Sequence, residues 1–167
     1  MRIWFLLLMC SVLSAESVAG LKWTAPSGWK NLGSQSMRAA TYSIPSAAGD
    51  RDSAECAVYF FGAGQGGSVE ANIDRWKGQF RQPAAAQVRK RTVHGLPVTT
   101  IDISGDYSGM GGPMVTEKTV KSGYRLLGAI VESPGGNVFL KLTGPAKTIA
   151  ASQQGFEQLL ASFDKER

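Results

Sequence analysis

A glycine-rich segment is the motif in this sequence that comes nearest to a known chemical site. Gly62, Gly64 and Gly67 have the spacing G-x-G-x-x-G and lie between a strand-like run and a helix-like run, which is the order found in dinucleotide-binding sites. That fingerprint also needs an acidic residue about 20 positions further on to hold the ribose, and no Asp or Glu occurs between Asp74 and Asp102. We interpret the segment as a connector that opens a helix N-terminus, where backbone N–H groups attract anions, and we predict no cofactor.

Three polar residues follow this segment at helical spacing. Asn72, Arg75 and Gln79 should lie on one flank of the predicted helix, because residues three or four apart share a helix face. Together with Gly64 and Gly67 they form a candidate binding patch. The alternative is a hydrogen-bonded helix boundary that braces the edge of a sheet.

A nucleophilic mechanism would depend on His94 or Cys56, because each is the only residue of its type after residue 19. His94 precedes Gly95 in a predicted two-residue turn, where a side chain points to water and lacks a fixed partner. Cys56 alternates with Val58 and Phe60, which predicts a buried thiol of little reactivity. We therefore predict no catalytic residue.

Acidic residues suggest two further sites. Asp50, Asp52 and Glu55 are close in sequence, but their spacing is not that of a known calcium loop, so we predict no metal and expect these residues to solvate a turn. An enzymatic site between the two glycine-rich loops would use Asp102, Asp106 or Arg75.

Hydrophobic periodicity places these residues on strands and two helices. Strands are predicted at residues 21–24, 37–44, 54–60, 88–93, 96–104, 124–131 and 138–143, with a weaker one at 114–121 and an irregular loop at 105–113. The first helix is predicted from N-cap Ser68 to near Phe80, with Trp76 on its buried stripe, and the second begins near Pro145. Because hairpins dominate, we predict an α+β fold with a mostly antiparallel sheet and two packed helices.

The N-terminal residues have the pattern of a signal peptide. Arg2 precedes an uncharged apolar run at residues 3–13, which suits export and is shorter than the roughly 20 residues that span a bilayer. We predict cleavage after Ala19, with Ala15 as the alternative, so that residues 1–19 are the signal and residues 20–167 form a single domain. The sequence predicts no transmembrane segment in that domain and a periplasmic or secreted location.

The formal net charge is +5, and the longest basic run is Arg89-Lys90-Arg91. A run of this length on a predicted strand is typical of a guarded edge. Nucleic-acid binding requires a broader basic stripe with interleaved aromatic residues, so we predict no nucleic-acid partner.

Several segments resemble known proteins. The Pro-x-Gly-Trp sequence at residues 26–29, the mid-chain helix, the hairpins and a final helix ending in Ser162-Phe163 resemble the PsbP-like and DcrB-like group of α/β/α sandwich domains. The segments 23–26, 66–80 and 144–148 are similar to a set of uncharacterised bacterial secreted proteins. The resemblance implies a PsbP-like fold and a binding or assembly role, and it carries over no catalytic residue.

These observations favour an exported, non-enzymatic domain that binds a protein or an envelope component as an assembly or accessory factor. The alternative is a small hydrolase-type enzyme with a site between the glycine-rich loops. The sequence indicates neither the partner nor the oligomeric state.

Overall fold

The computed structural model describes residues 15–83, 85–109 and 119–167. In chain order the elements are β1 (Ala15–Val18), β2 (Leu21–Thr24), β3 (Lys30–Gln35), β4 (Arg38–Ile44), β5 (Ala54–Phe60), α1 (Val69–Lys77), β6 (Phe80–Arg81), β7 (Gln87–Val93), β8 (Leu96–Tyr107), β9 (Lys121–Val131), β10 (Val138–Pro145), α2 (Ala146–Ala161) and β11 (Asp164–Lys165).

The main sheet is antiparallel and has the strand order β3-β4-β5-β10-β9-β8-β6, with β7 paired to β8. Tight hairpins build much of it. Between β7 and β8, His94 and Gly95 both have positive φ, at 45° and 77°, which is the backbone of a type I′ turn. A second, three-stranded sheet has the order β1-β2-β11.

One face of the main sheet is covered by α2 and by the small sheet. Ile149, Phe156 and Leu160 of α2 are buried among inward-facing residues of β5, β9 and β10. Trp23 of β2 stacks on Phe163, with ring centroids 5.2 Å apart. Apolar side chains at every second strand position therefore form the larger part of the core.

The opposite face is covered in part by α1. Ile73 and Trp76 pack against Ile101 and Ile103 of β8, and the indole of Trp76 lies over Gly128. A Cβ atom at position 128 would be 2.6 Å from Trp76 Cε3, so the glycine permits this close approach. Because α1 ends at Lys77, no helix of the described residues covers the rest of this face.

The structure confirms the α+β class and most of the predicted strands, and it corrects three details. The first helix ends at Lys77 with Gly78 as its C-cap, so Phe80 and its buried ring belong to β6. Residues 105–107 continue β8 beyond a bulge and are not loop. The exposed strand β3 was missed, because its sequence does not alternate. Most of the predicted strand at 114–121 lies outside the described residues.

The N-terminal prediction is only partly covered by the structure. The apolar run at residues 3–13 lies outside the described residues, whereas β1 pairs with β2 in register from Ala15 opposite Thr24 to Val18 opposite Leu21. Within the part of the chain that the structure describes, neither helix has the length and apolar content to cross a bilayer.

Candidate functional site

The uncovered part of the α1 face forms a groove of about 530 Å³. Alternate residues of two neighbouring strands point into it, Tyr59 from β5 and Lys141 and Thr143 from β10. Tyr107 of β8 and Tyr124 of β9 complete the far side. We call this surface the tyrosine groove. Its lining is Leu32, Arg38, Ser43, Ser53, Ala54, Glu55, Ala57, Tyr59, Tyr107, Lys121, Tyr124, Lys141 and Thr143.

Lys141 lies at the centre of this face. Its cross-strand neighbours are Ala57 on one side and Gly128 on the other, both too small to fill the space around a long side chain. Its Nζ donates hydrogen bonds to Gln79 Oε1 at 2.5 Å and to the Tyr107 hydroxyl at 2.9 Å. Both acceptors are neutral, and among the described residues no carboxylate lies within ion-pair distance of Nζ.

The surroundings of Lys141 oppose its positive charge. Burial, reinforced by the charge of Arg38 and offset in part by Glu55, lowers its pKa from its ordinary value to about 8. A cation held on neutral acceptors in partly desolvated surroundings favours the approach of an anion.

Two aromatic groups flank this lysine. Tyr107 stacks on Tyr124 with ring centroids 5.9 Å apart, and Lys141 Nζ lies 5.2 Å from the Tyr107 ring centre. On the other side Tyr59 stacks on Phe61 at 5.9 Å. Burial raises the pKa of Tyr107 to about 12 and also raises that of Tyr59, so these hydroxyls are neutral hydrogen-bonding groups at physiological pH.

The carboxylates of the groove already have partners. Glu55 Oε1 accepts from Arg38 Nη1 at 2.9 Å. Asp52 Oδ2 accepts from the Tyr124 hydroxyl at 2.5 Å and from Lys121 Nζ at 3.1 Å, and the Tyr124 hydrogen bond is the main reason that the pKa of Asp52 is lowered. Lys141 is thus the cation of the groove without a paired carboxylate among the described residues.

A small cavity opens beside the groove, between α1 and the sheet. Its volume is about 60 Å³. Tyr59 and Lys141 line both the tyrosine groove and this cavity. We call it the Gln79 pocket, and its remaining lining is Phe61, Asn72, Arg75, Trp76, Gln79 and Phe139. Gln79 is 3% exposed, and its Nε2 has no hydrogen-bond partner among the described residues.

The structure brings together three of the five predicted binding residues. Asn72, Arg75 and Gln79 all line the Gln79 pocket, although Gln79 follows the helix and is not on its flank. Gly64 and Gly67 lie elsewhere, in a shallow depression beside the turn at Ser133 and Pro134. The five residues therefore line two depressions that adjoin at Asn72, since a Cβ atom at Gly67 would lie 3.5 Å from Asn72 Nδ2.

Asn72 is also part of a hydrogen-bonded helix boundary, which was the alternative to a binding patch. Its Nδ2 donates to the carbonyl oxygens of Gly66 at 2.8 Å and Ser68 at 2.9 Å, and its Oδ1 accepts from Arg75 Nη1 at 2.9 Å. These bonds fix the glycine-rich connector to the start of α1. They leave Gln79 Nε2 without a hydrogen-bond acceptor among the described residues. Lys141 keeps one N–H beyond those that bond to Gln79 and Tyr107.

Two residues of the alternative enzymatic site, Asp102 and Arg75, lie on opposite faces of the main sheet. Asp102 lies between Ile101 and Ile103 on β8, so it points to the α2 face, where Arg125 holds it with bonds of 2.8 and 2.6 Å. Arg75 lies on the α1 face. The alternation of side chains along β8 separates these two residues by the thickness of the sheet.

The single histidine and cysteine have structural environments. His94 is exposed, as predicted, but its Nδ1 is hydrogen-bonded to the Phe163 carbonyl oxygen at 2.8 Å, so the expectation that it lacks a fixed partner is wrong. Cys56 is fully buried and burial raises the pKa of its thiol, as the alternation predicts.

The predicted acidic turn is divided among different partners. Asp50 Oδ2 accepts from the backbone N–H of Thr148 at 2.9 Å and from its hydroxyl at 2.6 Å, which caps the start of α2 from outside the helix. The carboxylates of Asp52 and Glu55 accept hydrogen bonds from other side chains of the tyrosine groove. Among the described residues no group of three or more His, Cys, Asp or Glu side chains is placed to hold a metal ion.

Comparison with known proteins identifies the architecture. No protein-family model and no curated protein matches the chain. Among solved structures it is similar to the cyanobacterial PsbP protein (CyanoP) of Synechocystis sp. PCC 6803, with a TM-score of 0.54 and 13% identity over 91% of each chain.

The chain is also similar to PA94 of Pseudomonas aeruginosa, a protein of unknown function, with a TM-score of 0.54 and 12% identity over 89% of this chain and 94% of that one. At these identities the likeness shows the fold alone. The chain is an α+β domain with a PsbP-like fold.

Proposed function

We propose that this chain is an exported accessory domain, akin to the secreted bacterial proteins that its sequence resembles, and that it binds a protein or an envelope component through the tyrosine groove. The observation that carries the proposal is the part of the sheet face that no described helix covers. There three tyrosines lie around Lys141, which has no carboxylate partner among the described residues. The PsbP-like fold supports a non-enzymatic accessory role.

The composition of the groove supports recognition over catalysis. Tyrosine and arginine are enriched at the energetically important positions of protein interfaces, because they combine a large contact area with a polar end. Apart from Lys141, the charged groups Arg38, Glu55, Lys121 and Asp52 form neutralising pairs. Asp102 and Arg75 of the alternative enzyme lie on opposite faces of the sheet. The polar tyrosine ends and the unpaired lysine are suited to a partner that brings hydrogen-bond acceptors.

A matched pair of charge reversals tests the binding surface. Lys121→Glu changes an exposed lysine in the groove, and Lys90→Glu changes an exposed lysine on the edge strand β7, with the same net charge. The two variants and the parent protein are used to capture partners from the native envelope. The proposal expects Lys121→Glu alone to lose the partner that the parent retains.

Two outcomes of this experiment contradict the proposal. Equal retention by both variants would show that the groove is not the contact surface. Equal loss would show that capture follows net charge and not a defined surface. A urea titration of each variant confirms that the variants are folded.

Export is tested by the mass of the protein isolated from its native host. Cleavage after Ala15 would keep Glu16, whose carboxylate accepts hydrogen bonds from Asn31 and from the Tyr42 hydroxyl, whereas cleavage after Ala19 would remove β1. Recovery of the full-length chain would contradict the proposed export. The two shorter masses distinguish the two cleavage positions.

A further inference from the structure

We infer that the Gln79 pocket binds the carboxylate of a ligand whose adjoining apolar group packs on Tyr59, Phe61 and Phe139. Lys141 Nζ and Gln79 Nε2 are the donors. The inference rests on the proposed function, because it names the chemistry that the surface recognises.

Lys141 and Gln79 supply the hydrogen-bond donors of the pocket. Lysine has three N–H donors, and Lys141 uses two of them on Gln79 and Tyr107. Gln79 uses its oxygen on Lys141, which fixes the orientation of the amide and leaves Nε2 with no acceptor among the described residues. A buried amide donor without an acceptor is unfavourable, so a group that accepts two hydrogen bonds would complete the site.

The charge and size of the pocket select a carboxylate. Lys141 and Arg75 are the cations of the lining, so the pocket favours an anion. The remaining N–H of Lys141 and the neutral amide of Gln79 match the two oxygens of a carboxylate. The volume of about 60 Å³ compares with about 30 Å³ for one water molecule in the liquid, which suits a small planar head group. The Arg75 guanidinium, bonded to Asn72, adds positive potential beside the pocket.

The mouth of the pocket is apolar. Phe61 is 37% exposed. It stacks on Tyr59 and lies tilted against Phe139, with ring centroids 5.6 Å apart. These rings form a platform on which an aromatic or aliphatic group next to the carboxylate would lose its contact with water.

The test uses three probes of defined chemistry. They are N-acetyl-Gly-Gly-Phe with a free carboxylate, the same peptide as its C-terminal amide, and phenylacetate. The readouts are the side-chain NMR signals of Gln79 Nε2 and the Trp76 indole, together with the pKa of Lys141. The acid should shift both signals and raise that pKa, and the amide should do neither.

Variants assign the effect to the pocket. Lys141→Met should weaken the acid at least about tenfold, since a hydrogen bond to a charged group is lost, while the control Lys90→Met binds as the parent does. Gln79→Glu places a carboxylate beside Lys141 within the chain and should block the acid. If Lys141→Met does not fold, Gln79→Glu still tests the inference.

The outcomes distinguish a polypeptide terminus from a small organic acid as the source of the carboxylate. They also distinguish failure of this inference from failure of the proposed function. Tighter binding of the peptide indicates a polypeptide terminus, and equal binding of phenylacetate indicates a small organic acid. Equal shifts with acid and amide, or binding unchanged in Lys141→Met and Gln79→Glu, would overturn the inference. The proposed function would still stand if envelope capture depended on Lys121, and it fails separately if capture does not.

Discussion

The two faces of the main sheet differ in how completely they are covered. On the α2 face, the helix and the small sheet bury an apolar layer that includes Phe156, Leu160 and Phe163. On the α1 face, a helix of nine residues covers one end, and tyrosines with charged groups occupy the remainder. The first face stabilises the fold, and the second carries the groove in which we propose that a partner binds.

The largest effect on stability is expected on the α2 face. Phe156→Ala should lower the free energy of unfolding by about 3–5 kcal/mol, because truncating a buried aromatic side chain leaves a cavity. Urea titration measures it. A loss below about 1 kcal/mol would show that the α2 face is not closely packed, and the contrast between the faces would then fail.

On the α1 face, the close contact at Gly128 should give an intermediate effect. Gly128→Ala should cost about 1–3 kcal/mol by overpacking, since the new methyl would lie 2.6 Å from Trp76 Cε3 and 2.8 Å from Ile101 Cγ2. The double variant with Trp76→Leu should recover part of the loss. Strict additivity of the two changes in urea titrations would mean that Trp76 does not lie over position 128.

The lysine of the groove should make stability depend on pH in an unusual direction. Between about 8, the folded-state pKa of Lys141, and its ordinary value, the unfolded chain binds a proton that the folded chain does not. Stability therefore rises with pH in this range. From pH 7 to 9.5 the parent should gain about 2 kcal/mol relative to Lys141→Met.

Parallel urea titrations of the two proteins at both pH values measure this difference. Comparing the parent with the variant removes the contributions of Arg38, Glu55 and the tyrosines, which are present in both. A difference that does not change with pH would show that Lys141 is fully solvated.

The smallest effect is expected at the rim of the groove. Lys121→Met should change the free energy of unfolding by no more than about 0.5 kcal/mol, because both Lys121 and Asp52 are exposed and surface ion pairs contribute little. Titrations at low and at 0.5 M salt should agree. A loss of several kcal/mol would mean that the rim supports the fold, and the division between a stabilising face and a binding face would need to be redrawn.

Periodic patterns predict much of this structure. The alternation at Cys56 and Val58 correctly places them in the core, and the helical spacing correctly buries Ile73 and Trp76. The helix end was wrong because the apolar stripe continues to Phe80 although Gly78 ends the helix. Hydrophobic periodicity indicates which residues are buried and not which element carries them. Phe80 is buried, but it belongs to a strand.

The candidate site was predicted only in part, because its contacts join distant segments. Asn72, Arg75 and Gln79 were identified from local spacing. Lys141 was missed: a single lysine in an apolar strand normally points to solvent, and the available signal was its small partner at Gly128. That Tyr107 reaches it from 34 positions away follows from the pairing of the strands and not from any local pattern.

The small sheet also has a consequence for the order in which the molecule can fold. Strand β2 lies between β1 and β11, and the backbone N–H of Thr24 donates to the Ser162 hydroxyl across 138 positions. Pairings between such distant segments are slow to form, because the intervening chain must be closed into a loop first. Trp23 gains its stacking partner only when Phe163 arrives, so an early-synthesised part of the core stays incomplete until nearly the whole chain is available.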